Sequence, residues 1–288
     1  MAIWRILVLG NTAVMTGRRR AAALPAVAWP LIGSLLAAQR HARNRHALAA
    51  ELWPDASEDA ARQCLASALW RIRKRLPCFD DVFHVEGDQI ALRPGPNVWI
   101  DALAMARRAV HALDDPGSLD SAAARVKLRR GLAAYAGDLL AMCDLESIMI
   151  ERERLRALYL DAGFQLARVC ARHCQWQDTL EICRALCEVE PLREDAQRLL
   201  IQAYMEVGSR GLALQQYNDF RTYLERELQV SPMAETRALV SRLTSSGEPL
   251  VSEPPAIPML SPHRALVLAR SRMASTLRLL DRLIAESR

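Results

Sequence analysis

Between residues 57 and 77 the chain concentrates the side chains best suited to holding a polyanion. On a helix, Leu65, Leu69, Ile72 and Leu76 fall on one narrow stripe. Gln63, Ser67, Trp70, Arg71 and Lys74 fall on the opposite side, with Arg62, Arg73 and Arg75 flanking. Such a helix buries one face and offers water a basic, hydrogen-bonding one. Cations suit phosphates, and forked or bidentate donors suit base edges in a DNA major groove. An ordinary helix with a solvated basic face would show the same residues, so the elements around it must decide between the two readings.

Those elements favour a groove-reading helix. Ser57 is placed to cap it, Glu58 and Asp59 suit the positive end of its dipole, and Pro77 ends it. Residues 4–9, 12–15 and 21–24 are short apolar runs separated by turns at Gly10-Asn11 and Thr16-Gly17-Arg18, which predicts a small antiparallel sheet. Leu31, Ile32, Leu35 and Leu36 predict a first helix. Residues 43–52 predict a second, which stops at Trp53-Pro54-Asp55. After the basic helix, residues 82–85 and 89–92 flank Glu86-Gly87-Asp88 as a hairpin. Sheet, three helices and hairpin is the order of a winged helix.

Catalytic signatures do not appear. The chain has no phosphate-binding Gly-rich loop, no dinucleotide fingerprint, no nucleophile elbow and no His-Glu zinc motif, so no enzyme activity and no cofactor are expected. His41, His46, His84, His111, His173 and His263 lack ligand spacing. Cys170, Cys174, Cys183 and Cys187 form two pairs four residues apart, which on adjacent antiparallel helices could hold a metal. Three of them stand where a helical repeat wants a small or apolar core residue, and buried thiols are the simpler reading. No metal site is expected. Seven cysteines outside any short disulfide framework fit a reducing cytoplasm.

The chain has 288 residues, enough for about two domains of roughly 100–200 residues each. Its net charge of +5 is uneven. Residues 1–95 hold 13 Lys and Arg against 8 Asp and Glu, whereas residues 96–244 hold 19 against 21. The basic end is the one that matters for an anionic partner. The start lacks the pattern of a secretory signal, and no stretch reaches about 18 uninterrupted apolar residues, so neither export nor a membrane span is expected.

Residues 101–160 read as helical throughout, with a break at Asp138-Leu139-Leu140. An internal repeat then appears at an offset of 34 residues: Leu166 with Leu200, Cys170 with Tyr204, Cys174 with Gly208, Thr179 with Ala213, Cys183 with Tyr217, and Leu186 with Phe220. Pro191 closes the first unit. This is the packing pattern of a tetratricopeptide unit, which needs neighbours to cover its apolar face. Five prolines and four serines make residues 244–262 a linker, and residues 263–288 carry an amphipathic helix with Leu266, Met273 and Leu280 on one stripe. The expected fold is therefore mainly α: an α+β winged helix over residues 1–97, then an all-α tetratricopeptide-like domain over residues 98–243.

The chain resembles the Streptomyces antibiotic regulatory proteins, which join an OmpR-type winged helix to a bacterial transcriptional activator domain. The resemblance covers about residues 4–243. It rests on the runs Leu48-Ala49-Ala50-Glu51-Leu52-Trp53-Pro54-Asp55, Arg71-Ile72-Arg73-Lys74-Arg75-Leu76, Glu151-Arg152-Glu153-Arg154-Leu155, Glu190-Pro191-Leu192-Arg193-Glu194, and Gln216-Tyr217 through Leu228. The resemblance implies a transcription regulator, usually an activator, that binds double-stranded DNA, contacts RNA polymerase and forms dimers. Carried over, the recognition positions are Arg62, Gln63, Ser67, Arg71, Arg73 and Lys74; Trp70 joins them by its place on the same face. The chain departs from the family at Ala26-Val27-Ala28-Trp29-Pro30, where basic residues are usual, and at Trp70, where a small polar residue is usual. These departures leave an alternative: a tetratricopeptide scaffold whose winged helix binds protein, with Trp70 as the anchor.

Overall fold

The computed structural model describes residues 3–17 and 19–245. From residue 246 onward the expected linker and the helix expected over 263–288 lie outside the described residues. Three short strands, β1 (Trp4–Leu7), β2 (Ala13–Thr16) and β3 (Arg19–Ala22), form an antiparallel meander with Ile6 opposite Val14. The turns between them use Gly10 at φ +80° and Gly17 at φ +58°, conformations that glycine adopts without strain.

Helix α1 (Ala28–Ala37) follows, then a one-turn helix at Gln39–His41 and strand β4 (Ala42–Asn44). Pro30 lies in the first turn of α1, where its missing N–H would have no helical partner anyway. Helix α2 (Arg45–Leu52) is capped by the Asn44 side chain, which accepts from the His46 amide at 2.8 Å. Helix α3 (Glu58–Arg75) comes next, then the short α4 (Phe79–Val82) and the hairpin of β5 (Phe83–Glu86) and β6 (Gln89–Leu92). β4 pairs with β6, giving a three-stranded wing in the order β4-β6-β5. Strand β7 (Val98–Ile100) returns to pair parallel with β1, so the first sheet runs β3-β2-β1-β7. The sheet thus crosses the division expected after residue 97.

The remaining residues are helical: α5 (Asp101–Asp114), a one-turn helix at Pro116–Asp120, α6 (Ala122–Leu132), α7 (Glu146–Arg172), α8 (Trp176–Val189), α9 (Glu194–Glu206), α10 (Arg210–Leu228) and α11 (Ala234–Ser245). Residues 101–160 are less continuous than their composition suggests. The chain leaves helix at 115 and again over 133–145, where Leu140 sits at φ +42°.

From α7 to α10 the repeat packs as its spacing predicts. Leu166, Cys170, Thr179, Cys183 and Leu186 are buried, as are Leu200, Tyr204, Ala213 and Phe220. Gly163 on α7 leaves room for Leu186, whose methyl would lie 2.7 Å from a Cβ there. Cys174 departs from the expectation of a core thiol. It is exposed, at φ +55°, matching Gly208 at φ +77°. That repeat position serves a left-handed turn rather than the core.

One apolar core runs through the winged helix into the first helices of the second half, joining Ile6, Leu31, Leu65 and Ile90 to Met105, Ile148 and Leu155. Three further attachments fasten the halves together. Buried Asp101, at the start of α5, accepts from the amides of Val8 and Leu9 at 2.9–3.0 Å and of Ala102 at 2.8 Å. Burial pushes its carboxyl up to about 6 while those amides pull it back. The Gly10 amide donates to the Asp138 carbonyl and the Leu140 amide to the Val8 carbonyl. On α2, Glu51 pairs with Arg43 at 2.8 Å and accepts from the hydroxyls of Ser34 on α1 and Ser147 on α7. Among the described residues no helix is long and apolar enough to cross a membrane.

Candidate nucleic-acid interface

Helix α3 begins where the Ser57 hydroxyl accepts from the Ala60 amide at 3.4 Å. Glu58 and Asp59 occupy its first turn; Arg73, Lys74 and Arg75 occupy its last, each sign matched to the helix dipole. Ala61, Leu65, Ala68, Leu69 and Ile72 are buried and face the domain, with α1 and α2 against the helix. All seven predicted site residues, Arg62, Gln63, Ser67, Trp70, Arg71, Arg73 and Lys74, are exposed on α3.

These seven do not form one uniform surface. Arg62 is engaged by Asp59, which raises its guanidinium further above the ordinary value. Arg73 donates to Asp80 at 2.6 Å, and its guanidinium lies 4.6 Å over the Phe79 ring, which ties the end of α3 to α4. Two of the expected cations are therefore already held by carboxylates. Arg71 instead donates to the Ser67 carbonyl, at 3.3 Å, and the Lys74 ammonium lies 5.1 Å over the face of Trp70.

Trp70, Arg71 and Lys74 converge with Arg75 on a cleft of about 440 Å³ whose other wall is residues 23–25. Trp70 is 63% exposed there. Arg75 was legible only as a flanking residue of the helix. Its role at the cleft depends on the connection between β3 and α1, which no helical periodicity reveals. The stretch Ala26-Val27-Ala28-Trp29-Pro30 is explained locally: Ala28 is fully buried, and Trp29 packs on the core as α1 begins.

The wing contributes the opposite sign. Its turn places Gly87 at φ +54°, with Glu86 and Asp88 exposed on either side. The Asp88 carbonyl accepts from the Arg45 amide at 2.7 Å, holding the tip beside the start of α2. Asp88 also acts on Arg62 together with Glu58 and Asp59, so the wing tip and the N-terminal end of α3 share one electrostatic neighbourhood. His46 adds a contact to Glu58 at 3.1 Å. His41 bonds the Leu36 carbonyl at 3.0 Å, and His173 lies 3.8 Å from Asp120. Among the described residues no three His, Cys, Asp or Glu side chains are grouped as a metal site.

Comparison with known proteins places these features in a family. The profile of the bacterial transcriptional activator domain matches residues 100–244, half of the chain. No curated protein matches the chain. Among solved structures, Mycobacterium tuberculosis EmbR, determined in complex with a low-affinity phosphopeptide, is similar in fold. The similarity covers 97% of this chain and 71% of that one, with a TM-score of 0.58 and 20% identity. The chain belongs to the bacterial transcriptional activator domain family and is a transcriptional regulator of the Streptomyces antibiotic regulatory protein type.

Proposed function

We propose that this regulator binds double-stranded DNA sequence-specifically through α3 and activates transcription by presenting its helical domain to RNA polymerase. In this reading the chain works in the cytoplasm as a DNA-bound dimer, by contact rather than by catalysis and without a cofactor. The observation that supports it is the exposed face of α3: an 18-residue helix, buried along one stripe, presents Gln63, Ser67, Arg71 and Lys74 to solvent from a winged helix fastened to an activator domain. Gln offers a donor and an acceptor together to an adenine edge, Arg offers two donors to a guanine edge, and Lys serves phosphate.

The test is fluorescence anisotropy of the full chain with duplex DNA across a series of salt concentrations. Binding should weaken steeply with salt; Lys74→Ala, which removes a phosphate contact, should flatten that dependence by about one unit of slope, and Arg71→Ala should weaken binding and relax its sequence preference. A folded chain that fails to bind duplex DNA at low salt would refute the reading. That result would turn attention to protein partners, for which the 63% exposure of Trp70 and the acidic wing tip are the favouring observations.

A further inference from the structure

The recognition surface is electrically polarised along α3. At its N-terminal end stand Glu58 and Asp59, Arg62 there is engaged by Asp59, and Asp88 of the wing tip lies close enough to act on Arg62 as well, with Arg45 bonded through its amide to the Asp88 carbonyl. At its C-terminal end Arg71, Lys74 and Arg75 line one cleft that has no carboxylate among the described residues of its walls. A wing that grips DNA needs cations at its tip, because every phosphate it approaches is an anion. The turn of this wing presents Glu86 and Asp88 to solvent, and its nearest cations, Arg43 on β4 and Arg45 at the start of α2, lie at its base.

The cleft has the opposite character, and its chemistry is amphipathic. Ala23, Leu24 and Pro25 form one apolar wall, and the exposed indole of Trp70 faces it. The cations stand around that apolar interior, with the Lys74 ammonium 5.1 Å over the indole. A sugar–phosphate unit is amphipathic in the same sense: a deoxyribose presents C–H surface, and the phosphodiester beside it carries the charge. Arg73 turns instead toward α4, where it donates to Asp80 and lies over Phe79.

We propose that a deoxyribose and its phosphodiester from the DNA backbone seat in the Trp70 cleft, anchoring the duplex at the C-terminal end of α3 while the acidic wing tip stands off it. The proposal rests on the DNA-binding reading above and goes further. It replaces the wing as the backbone anchor with a corner built from α3 and the β3–α1 connection. It also gives Trp70 a contact with DNA through the sugar, which is independent of sequence, rather than through a base edge.

The experiment compares full-length wild type, W70A, R75A and the double variant E86Q/D88Q by anisotropy with random-sequence duplex DNA over a salt series. Circular dichroism and urea midpoints confirm folding; all four residues are exposed, and exposed substitutions seldom unfold a domain. R75A should flatten the slope of log affinity against log salt by about 0.9, which is about eightfold in affinity at 0.1 M salt. W70A should weaken binding several-fold with the slope unchanged, because the indole contact carries no charge. E86Q/D88Q should change affinity less than about twofold near physiological salt, as expected for charges held beyond a Debye length of about 8 Å from the nearest phosphate. Wild-type affinity in both W70A and R75A would overturn the proposal, and so would a tenfold gain in E86Q/D88Q. Either result would leave the DNA-binding reading intact so long as R71A/K74A weakens binding. If wild type binds no duplex at all, the underlying reading fails and this proposal fails with it.

Discussion

Gly10 offers the sharpest test of how the two halves are joined. It sits at φ +80°, and a Cβ there would meet the Ala136 carbonyl oxygen at 2.6 Å and the Ala136 carbonyl carbon at 2.8 Å. Both are backbone atoms, so no side-chain rotation relieves the clash. Gly17 is a matched control, at φ +58° with nothing within 4 Å of its virtual Cβ. In each case alanine in the left-handed region costs roughly 1–2 kcal/mol, and the stiffer unfolded chain returns about 0.4–1 kcal/mol. Gly17→Ala should therefore destabilise by about 0.5–1 kcal/mol. Gly10→Ala carries the same conformational cost plus overpacking of about 1–3 kcal/mol. It also displaces the Gly10 amide from the Asp138 carbonyl, a bond of 3.0 Å. The expected loss is about 2–4 kcal/mol. Urea unfolding of the full chain, read by circular dichroism, measures both variants. If Gly10→Ala proves no worse than Gly17→Ala, the junction between residues 8–10 and 136–140 is not the close-packed seam argued above.

Three further outcomes follow from the same structure. Asp101 is raised from 3.8 to about 6 by burial, so its contribution to stability is fully present below pH 3.8 and is lost as pH rises through 6. At 1.36 kcal/mol per unit this is about 3 kcal/mol, and unfolding free energies compared at pH 4 and pH 7 should show Asp101→Asn free of that slope. Glu51→Ala leaves the fully buried Ser34 hydroxyl and the Ser147 hydroxyl without their acceptor. It should cost about 1–3 kcal/mol, with faster amide exchange in α1 and at the start of α7; unchanged exchange in both would refute the clamp. Cys174 is exposed, whereas burial pushes the Cys187 thiol up to about 12 and that of Cys183 higher still. Thiol labelling at pH 8 should therefore modify Cys174 in the native chain and reach Cys183 only after unfolding, and early labelling of Cys183 would contradict the packing of α7 on α8.

Local pattern made much of this molecule legible. The helical stripe through Leu65, Leu69 and Ile72, the hairpin around Gly87 and the 34-residue repeat are all short-range signals, and each has its structural counterpart. What sequence pattern missed depends on distant partners. β4 and β7 are three residues long and owe their existence to β6 and β1. The buried carboxylate of Asp101 looks like any helix-starting Asp until Val8 and Leu9 arrive beside it. At Cys174 the repeat position serves a left-handed turn, and an apolar pattern does not distinguish that from a core position. At the candidate interface the residue types were readable, but which cations are already neutralised was not. Asp59 takes Arg62 within one turn of the same helix, Asp80 takes Arg73 across a helix junction, and the acidic wing tip adds its sign through space.

The parallel pairing of β7 with β1 also constrains how the chain can be made. β1 ends at Leu7, and its partner strand and buried carboxylate come about 94 residues later. A ribosome adding roughly 5–20 residues per second needs about 5–20 s to cover that interval. Throughout it β1 lacks one neighbour, and the amides of Val8 and Leu9 lack their acceptor. Completion of the N-terminal sheet therefore waits on synthesis of residues 98–101. A nascent chain or a fragment stopped at residue 97 carries every residue of the candidate DNA-reading helix, yet it leaves the sheet behind that helix open along one edge.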